Sequence, residues 1–520
     1  MHSQHTQAKK LPIGIQTFCK IREGDYYYVD KTHYALKLIA EGTHYFLSRP
    51  RRFGKSLFID TLAELFAGNK VLFKGLYAEH NWDWSRKYPV IRFSFGGGVV
   101  TTQTELDLKI QEQLDINRQA LSLMCRQKNI AAYFAELIRA AHTATGERVV
   151  ILVDEYDKPI LDNLECPEVA TIMREGLRNL YSVIKDMDAH IRFTLLTGVS
   201  KFSKVSLFSG LNNLQDITVS KDYSAICGYT DQDIDTVFAA ELQAFDRQKI
   251  RTWYNGYNWS GRSVYNPFDI LLLFREGLFK PYWFETGTPT FLIKLLSQRG
   301  FFTPNLAKQQ TSLDLLSVFD VDHINSDALL FQTGYLTFSK VEEIATGLWV
   351  YTLGYPNKEV ETSLNSALLT AYGADGQQAF SNRLRLLQLL QKVDCVGLQS
   401  LFNAFFASIP HDWYRNNPIA QYEGYYASIF YSHFAALGLA VTLEDTTNHG
   451  RIDMSVQFNG HIYLFEFKVV EQVPKGQALQ QLKDKGYAQK YQAMGMPIHL
   501  IGIAFSKKKR CIVEFDIEDL

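Results

Sequence analysis

Cysteine is scarce: six residues in 520 (Cys19, Cys125, Cys166, Cys227, Cys395 and Cys511), with no CxxC pair, exclude a thiolate zinc site and a disulfide framework and read as reduced core thiols. Long hydrophobic runs are missing. Stretches such as 149–153 and 270–274 fall far short of the roughly 20 apolar residues that cross a bilayer, so no membrane association is expected. Charge of one sign is missing too: 54 Lys and Arg against 55 Asp and Glu leave a net charge of −1. No global field therefore recruits nucleic acid, and any such contact needs a local patch. No apolar segment follows the lysines of MHSQHTQAKKLP, which argues against secretion and points to the cytoplasm. Internal repeats and low-complexity tracts are absent.

What remains is the composition of a globular protein, 46% hydrophobic and 21% charged. At roughly 150 residues per domain its length implies two or three domains. From residue 11 to about 220, β-rich runs at 44–48, 89–95, 148–154, 192–198 and 216–220 alternate with amphipathic stretches, the pattern of a parallel sheet wound with helices. A helical, aromatic middle follows (YNGYNW, YNP, YWFETG), and it is the least legible part. The last 120 residues regain order: a helix at 424–438, strands at 440–446 and 451–458, an Asn459-Gly460 turn, a strand at 461–469, a helix at 477–492, and strands at 498–506 and 511–517.

Arg49-Pro50-Arg51-Arg52-Phe53-Gly54-Lys55-Ser56 follows an expected strand and opens an expected helix. In that setting GxxxxGK[ST] cradles phosphates on backbone N–H groups, which makes Arg52, Phe53, Gly54, Lys55 and Ser56 candidate nucleotide contacts. The pattern's first glycine is missing, and Arg49 stands in its place. The apolar run 149–153 ends in Asp154-Glu155. Asp154 would join Ser56 on Mg²⁺, and Glu155 would polarise the attacking water. FTLLTGVS puts Thr197 and Ser200 at the carboxyl edge of the sheet, where a polar side chain senses a γ-phosphate. Arg174 and Arg178, one turn apart, read as a solvated helix face more than as γ-phosphate ligands.

Together the segments LPIGIQ, YVDKT, RPRRFGKS, LVDEYDKP and TGVSKFSKVSLFSGLNNL resemble the bacterial AAA-ATPase-like family, in which RPRRFGK replaces the glycine-first loop. The match covers about residues 11–287. It implies ATP as the nucleotide, a P-loop sheet, and a YVDKT segment that helps seat the nucleotide.

In HIYLFEFKV, alternation puts Glu466 and Lys468 on one strand face. An Asn459-Gly460 hairpin pairs residues whose numbers sum to 919, which sets Asp453 directly opposite Glu466. Two like charges so placed destabilise a ladder unless a cation lies between them. Oxygen ligands favour Mg²⁺ or Mn²⁺, and Lys468 would then position or help deprotonate a water attacking a phosphodiester. Asp453 followed by Glu466-Phe467-Lys468 resembles the PD-(D/E)XK nuclease superfamily, as does the surrounding element order. The resemblance implies Asp453, Glu466 and Lys468 as the catalytic core and Glu423 as a further metal ligand. It also draws in Glu444, Gln481, Tyr487 and Tyr491. The run Lys507–Arg510 reads as a phosphate-backbone contact or a solvated turn.

The expectation is an α/β chain with three parts. Residues 11–225 form a P-loop NTPase parallel sheet with helices on both faces, residues 226–395 a mainly helical middle or lid domain, and residues 396–520 an αβββαβ restriction-endonuclease-like domain. Its expected partner is nucleic acid, DNA ahead of RNA, with homo-oligomerisation left open. The competing reading is a nucleotide-gated switch whose C-terminal domain binds nucleic acid or protein without cleavage.

Overall fold

The strand and helix periods of the first 220 residues resolve into a parallel sheet. The computed structural model describes residues 9–201, 213–287, 292–293, 306, 309–317, 325–371, 376–407, 423–447, 450–470, 476–506 and 511–520. Its first sheet contains β1 (His44–Ser48), β2 (Val90–Ser94), β3 (Val149–Asp154), β4 (Ile191–Gly198) and β5 (Gln215–Asp216), in the order β2-β3-β4-β1-β5 with every pairing parallel. Strands β1 and β3 are buried along their whole length, as strands covered on both faces must be. Helices Lys55–Phe66, Gln103–Ala120, Ile130–Thr145 and Pro167–Asp186 supply the cover. Their ends carry local signals: Thr102 and Glu105 form a capping box, and Gly146 closes its helix at φ +72°.

The strand expected at 216–220 is cut to two residues. The chain bends because Ser48 N–H donates to Thr218 Oγ1 and the buried Arg49 guanidinium takes Thr218 O, so the side-chain contacts replace the ladder. The middle stretch holds the expected short helices, but also β6 (Asn255–Tyr257) paired with β7 (Val264–Tyr265), and a sheet of β8 (Gln310–Thr311), β9 (Thr337–Ala345) and β10 (Leu348–Gly354). The chain divides into two compact units, one of residues 1–287 and 310–357, the other of 288–309 and 358–520. The middle stretch is thus shared between them.

In the second unit a mixed sheet runs β11 (Ala440–Thr447), β12 (Gly450–Phe458), β13 (His461–Val469), β14 (Ile498–Ser506), β15 (Cys511–Asp519). Only β13 and β14 are parallel, joined through helices Gln477–Asp484 and Gln489–Gln492. The single helix expected at 477–492 breaks where Gly486 adopts φ +56°. Asn459 and Gly460 both take positive φ, 49° and 80°, as a type I′ turn requires. One sheet face packs Phe465 and Phe467 on Phe430 and Phe434 of the helix Glu423–Ala436, and the other packs Ile462 and Leu464 on Leu482, Tyr487 and Tyr491. Among the described residues no helix is long and apolar enough to cross a membrane.

Candidate functional site

The phosphate loop leaves the carboxyl end of β1 and enters the helix Lys55–Phe66 through two left-handed residues, Arg52 at φ +67° and Gly54 at φ +91°. Arg49 turns inward from the position usually held by glycine. Its guanidinium is fully buried, donates to Ser48 O, Thr218 O and Tyr223 O at 2.8, 2.7 and 3.1 Å, and stands 4.0 Å from the Trp259 ring centroid. The missing glycine is therefore an anchoring arginine whose side chain lies beneath the loop. Lys55 Nζ donates to Arg49 O and Pro50 O, both at 2.9 Å, so the ammonium is held at the carboxyl edge of the sheet. Burial pushes its pKa down, and Asp154 opposes that shift.

Asp154 ends β3, and Oδ1 accepts Thr197 Oγ1 at 2.8 Å. Thr197 is itself fully buried, so it steadies Asp154 and does not face the cleft directly. Glu155 follows at φ +52°, a conformation that costs a non-glycine residue about 1 kcal/mol or more. Burial raises the Glu155 pKa, and neighbouring Asp154 raises it further. Asp157, which the motifs did not single out, is 1% exposed and accepts Val199 N–H, Ser200 N–H and Ser200 Oγ. Ser200 thus engages Asp157, tying β4 to the acidic run. The third acid of LVDEYD is the available signal.

A cleft of about 480 Å³ is lined by Lys55, Ser56, Glu155 and Asp157 together with the apolar Pro12, Ile15, Phe268 and Leu271. The LPIGIQ segment lines this cleft, whereas YVDKT does not. Lys31 pairs with Asp233 at 2.7 Å and Asp30 accepts Thr32 and Tyr77 N–H groups, so these YVDKT side chains are engaged away from the cleft lining. Arg174 and Arg178 both pair with Glu175 on their own helix.

In the second unit the hairpin register holds the sum of 919 from Phe458↔His461 to Met454↔Phe465. It ends one pair short of Asp453 and Glu466. A regular ladder would next bond Phe467 N–H to Ile452; instead Asp453 Oδ2 accepts that N–H at 2.8 Å. Strand alternation breaks at the same residue, since Met454 packs with Phe465 on one face while Ile452 packs with Leu464 on the other. Burial raises the pKa of the Tyr487 hydroxyl, and the negative charges of Glu466 and, more weakly, Asp453 raise it further.

Glu466 is 1% exposed; its Oε1 accepts Lys468 Nζ at 2.9 Å and also Gln481 Nε2. Gln481 reaches it because Gly502, paired with Glu466, has no side chain: a Cβ there would meet Leu479 N at 2.3 Å. Next to this group Tyr491 OH bonds Asp445 and Ser455, and Lys490 bonds Asp445, so Asp445 is a buried acid beside the Glu444 that the motif drew in. Glu423 opens its helix, but its side chain lies outside the described residues, as do the side chain of Glu444 and the run 507–510. Among the described residues no group of three or more His, Cys, Asp or Glu is placed to hold a metal. Asp453 and Glu466 supply two carboxylates, a hard oxygen donor set that fits Mg²⁺ or Mn²⁺ completed by water and phosphate.

The comparisons agree with this division. A model of the predicted AAA-ATPase family matches residues 12–208, and one of the PD-(D/E)XK nuclease superfamily matches residues 421–515. An Azotobacter chroococcum mcd 1 protein described as an uncharacterized protein in the vnfD 5′ region is 66% identical over 98% of this chain and 99% of its own length. Residues 12–208 form a predicted AAA-ATPase domain. The chain's C-terminal domain is of the PD-(D/E)XK nuclease superfamily. No solved structure matches it.

Proposed function

We propose that this AAA-ATPase-like chain binds and hydrolyses ATP, and that its C-terminal domain is a Mg²⁺-dependent phosphodiesterase acting on nucleic acid, DNA ahead of RNA, with cleavage gated by nucleotide state. The observation that carries the nuclease reading is the Asp453–Glu466–Lys468 cluster, in which strand pairing gives way and a nearly inaccessible carboxylate meets a lysine and an amide. Burying such a group is costly unless it is partnered, so its presence points to chemistry. A divalent ion there supplies charge neutralisation at the scissile phosphate. Asp453 and Glu466 would hold it, Lys468 would position the attacking water and take part in its deprotonation, and Gln481 keeps Glu466 oriented. In the first unit Lys55 would neutralise β- and γ-phosphate charge, Ser56 and Asp154 would hold Mg²⁺, and Glu155 would polarise the hydrolytic water.

The test is incubation of the purified chain with single- and double-stranded DNA and RNA, with and without ATP and with Mg²⁺, Mn²⁺ or chelator. Metal-dependent cleavage that responds to ATP is expected. Tight binding without cleavage under every condition would replace this reading with the nucleotide-gated switch.

A further inference from the structure

Strand β2 is the edge of the first sheet, and its outer backbone groups need partners. The helix Gln103–Ala120 provides them from one face, at a spacing of four residues. Asn117 accepts Arg92 N–H and donates to Arg92 O, both at 2.8 Å, and Gln113 accepts Ser94 N–H at 2.5 Å. One turn further Lys109 continues the series past the end of the strand, donating to Phe95 O at 3.4 Å and to Gly97 O. From the other side Lys158 donates to Gly98 O at 3.1 Å and pairs with Asp162. Two lysines thus grip three carbonyls of the Phe95-Gly96-Gly97-Gly98 segment. Three consecutive glycines would otherwise be among the most mobile stretches of any chain.

This loop lies against Glu155. Phe95 N–H bonds Asp154 O at 3.2 Å, and a Cβ on Gly96 would stand 3.0 Å from Glu155 Oε2 and 3.3 Å from its Cδ. Gly96, Val99, Glu155 and Lys158 all line the nucleotide cleft. We propose that Lys109 and Lys158 are positioning residues for ATP hydrolysis, which hold the triglycine loop against the Glu155 carboxylate and so set where the attacking water stands. Lysine suits the task, because one ammonium carries three donors and can satisfy two carbonyls at once. The inference rests on the ATPase reading given above.

The test is steady-state ATP hydrolysis by the full chain, with nucleotide affinity measured separately by a fluorescent ATP analogue. Lys109→Met and Lys158→Met should each lower kcat by about 10- to 100-fold, the scale of a displaced reacting group, with KM and analogue affinity within about twofold of the parent. The double variant should cost little more than either single one, since both act through one loop. Lys109→Arg should restore most of the rate. Gly96→Ala, whose added Cβ would stand 3.0 Å from Glu155 Oε2, should also lower kcat. Unchanged kcat in the double variant, or equal losses of kcat and affinity, would overturn the inference and leave the ATPase reading standing. A parent that binds ATP without hydrolysing it would overturn both.

Discussion

Replacing Arg49 by the glycine that most phosphate loops carry should damage this one. The guanidinium makes three bonds to buried carbonyls and lies over Trp259. Bonds to a charged group contribute about 1.5–3 kcal/mol each, and a buried cation–π contact about 2 kcal/mol. Against this gross gain stands the cost of burying the charge, which pushes the Arg49 pKa down to about 10 yet leaves it protonated at neutral pH. Removing one side of a buried charged network typically costs about 3–5 kcal/mol, and glycine's added freedom in the unfolded chain about 0.5–1 kcal/mol more. Arg49→Gly should therefore lose about 3.5–6 kcal/mol, seen as a fall of roughly 10 °C or more in the melting of the first unit. ATP affinity should fall with it, because the residue 49 carbonyl that holds Lys55 Nζ would lose the side-chain anchor that fixes its position. Arg49→Lys should recover less than half, since a single ammonium cannot span three separate carbonyls. Calorimetry and ATP titration decide the matter: an unchanged melting temperature, or tighter ATP binding by Arg49→Gly, would refute the anchoring role.

Further outcomes are expected. Lys55→Ala should abolish ATP binding while Glu155→Gln keeps binding and loses hydrolysis; unchanged affinity in Lys55→Ala would exclude the phosphate-loop assignment. Asp453→Ala, Glu466→Ala and Lys468→Ala should each lose cleavage with ATP binding intact, and Mg²⁺ or Mn²⁺ should raise the melting temperature of the parent more than that of Asp453→Ala; robust cleavage by Asp453→Ala would end the nuclease-site proposal. The buried His433, stacked on Phe405, has its pKa lowered to about 3, chiefly by burial and then by Arg383. Its folded pKa lies below the unfolded value of about 6.5, so its contribution is complete above pH 6.5 and is lost as pH falls from there towards 3, by about 1.4 kcal/mol per pH unit. Denaturant midpoints across that window should flatten in His433→Phe, and a parent-like slope in the variant would refute the assignment.

Much of this protein is written locally in its sequence. The order of strands and helices, the phosphate loop between β1 and its helix, and the Asn459-Gly460 turn follow from period, spacing and turn chemistry, which involve only neighbours along the chain. The hairpin register is equally local, and it holds to Met454↔Phe465. What happens one residue later was not legible, because the partner that pulls Asp453 out of the ladder is the Phe467 N–H, and alternation assumes a regular ladder throughout. Arg49 shows the same limit: as a letter it is a missing glycine, and only the arrival of Thr218, Tyr223 and Trp259 from far along the chain makes it an anchor. Thr197 lies near the carboxyl end of β4, and its burial against Asp154 decides that it steadies a carboxylate. Gly502 reads as an ordinary strand glycine until a helix backbone packs within 2.3 Å of its would-be Cβ. Sequence spacing determines which residues reach one edge or one face; which of them touch is decided by close packing between segments distant in sequence, where a few tenths of an ångström select one partner over another.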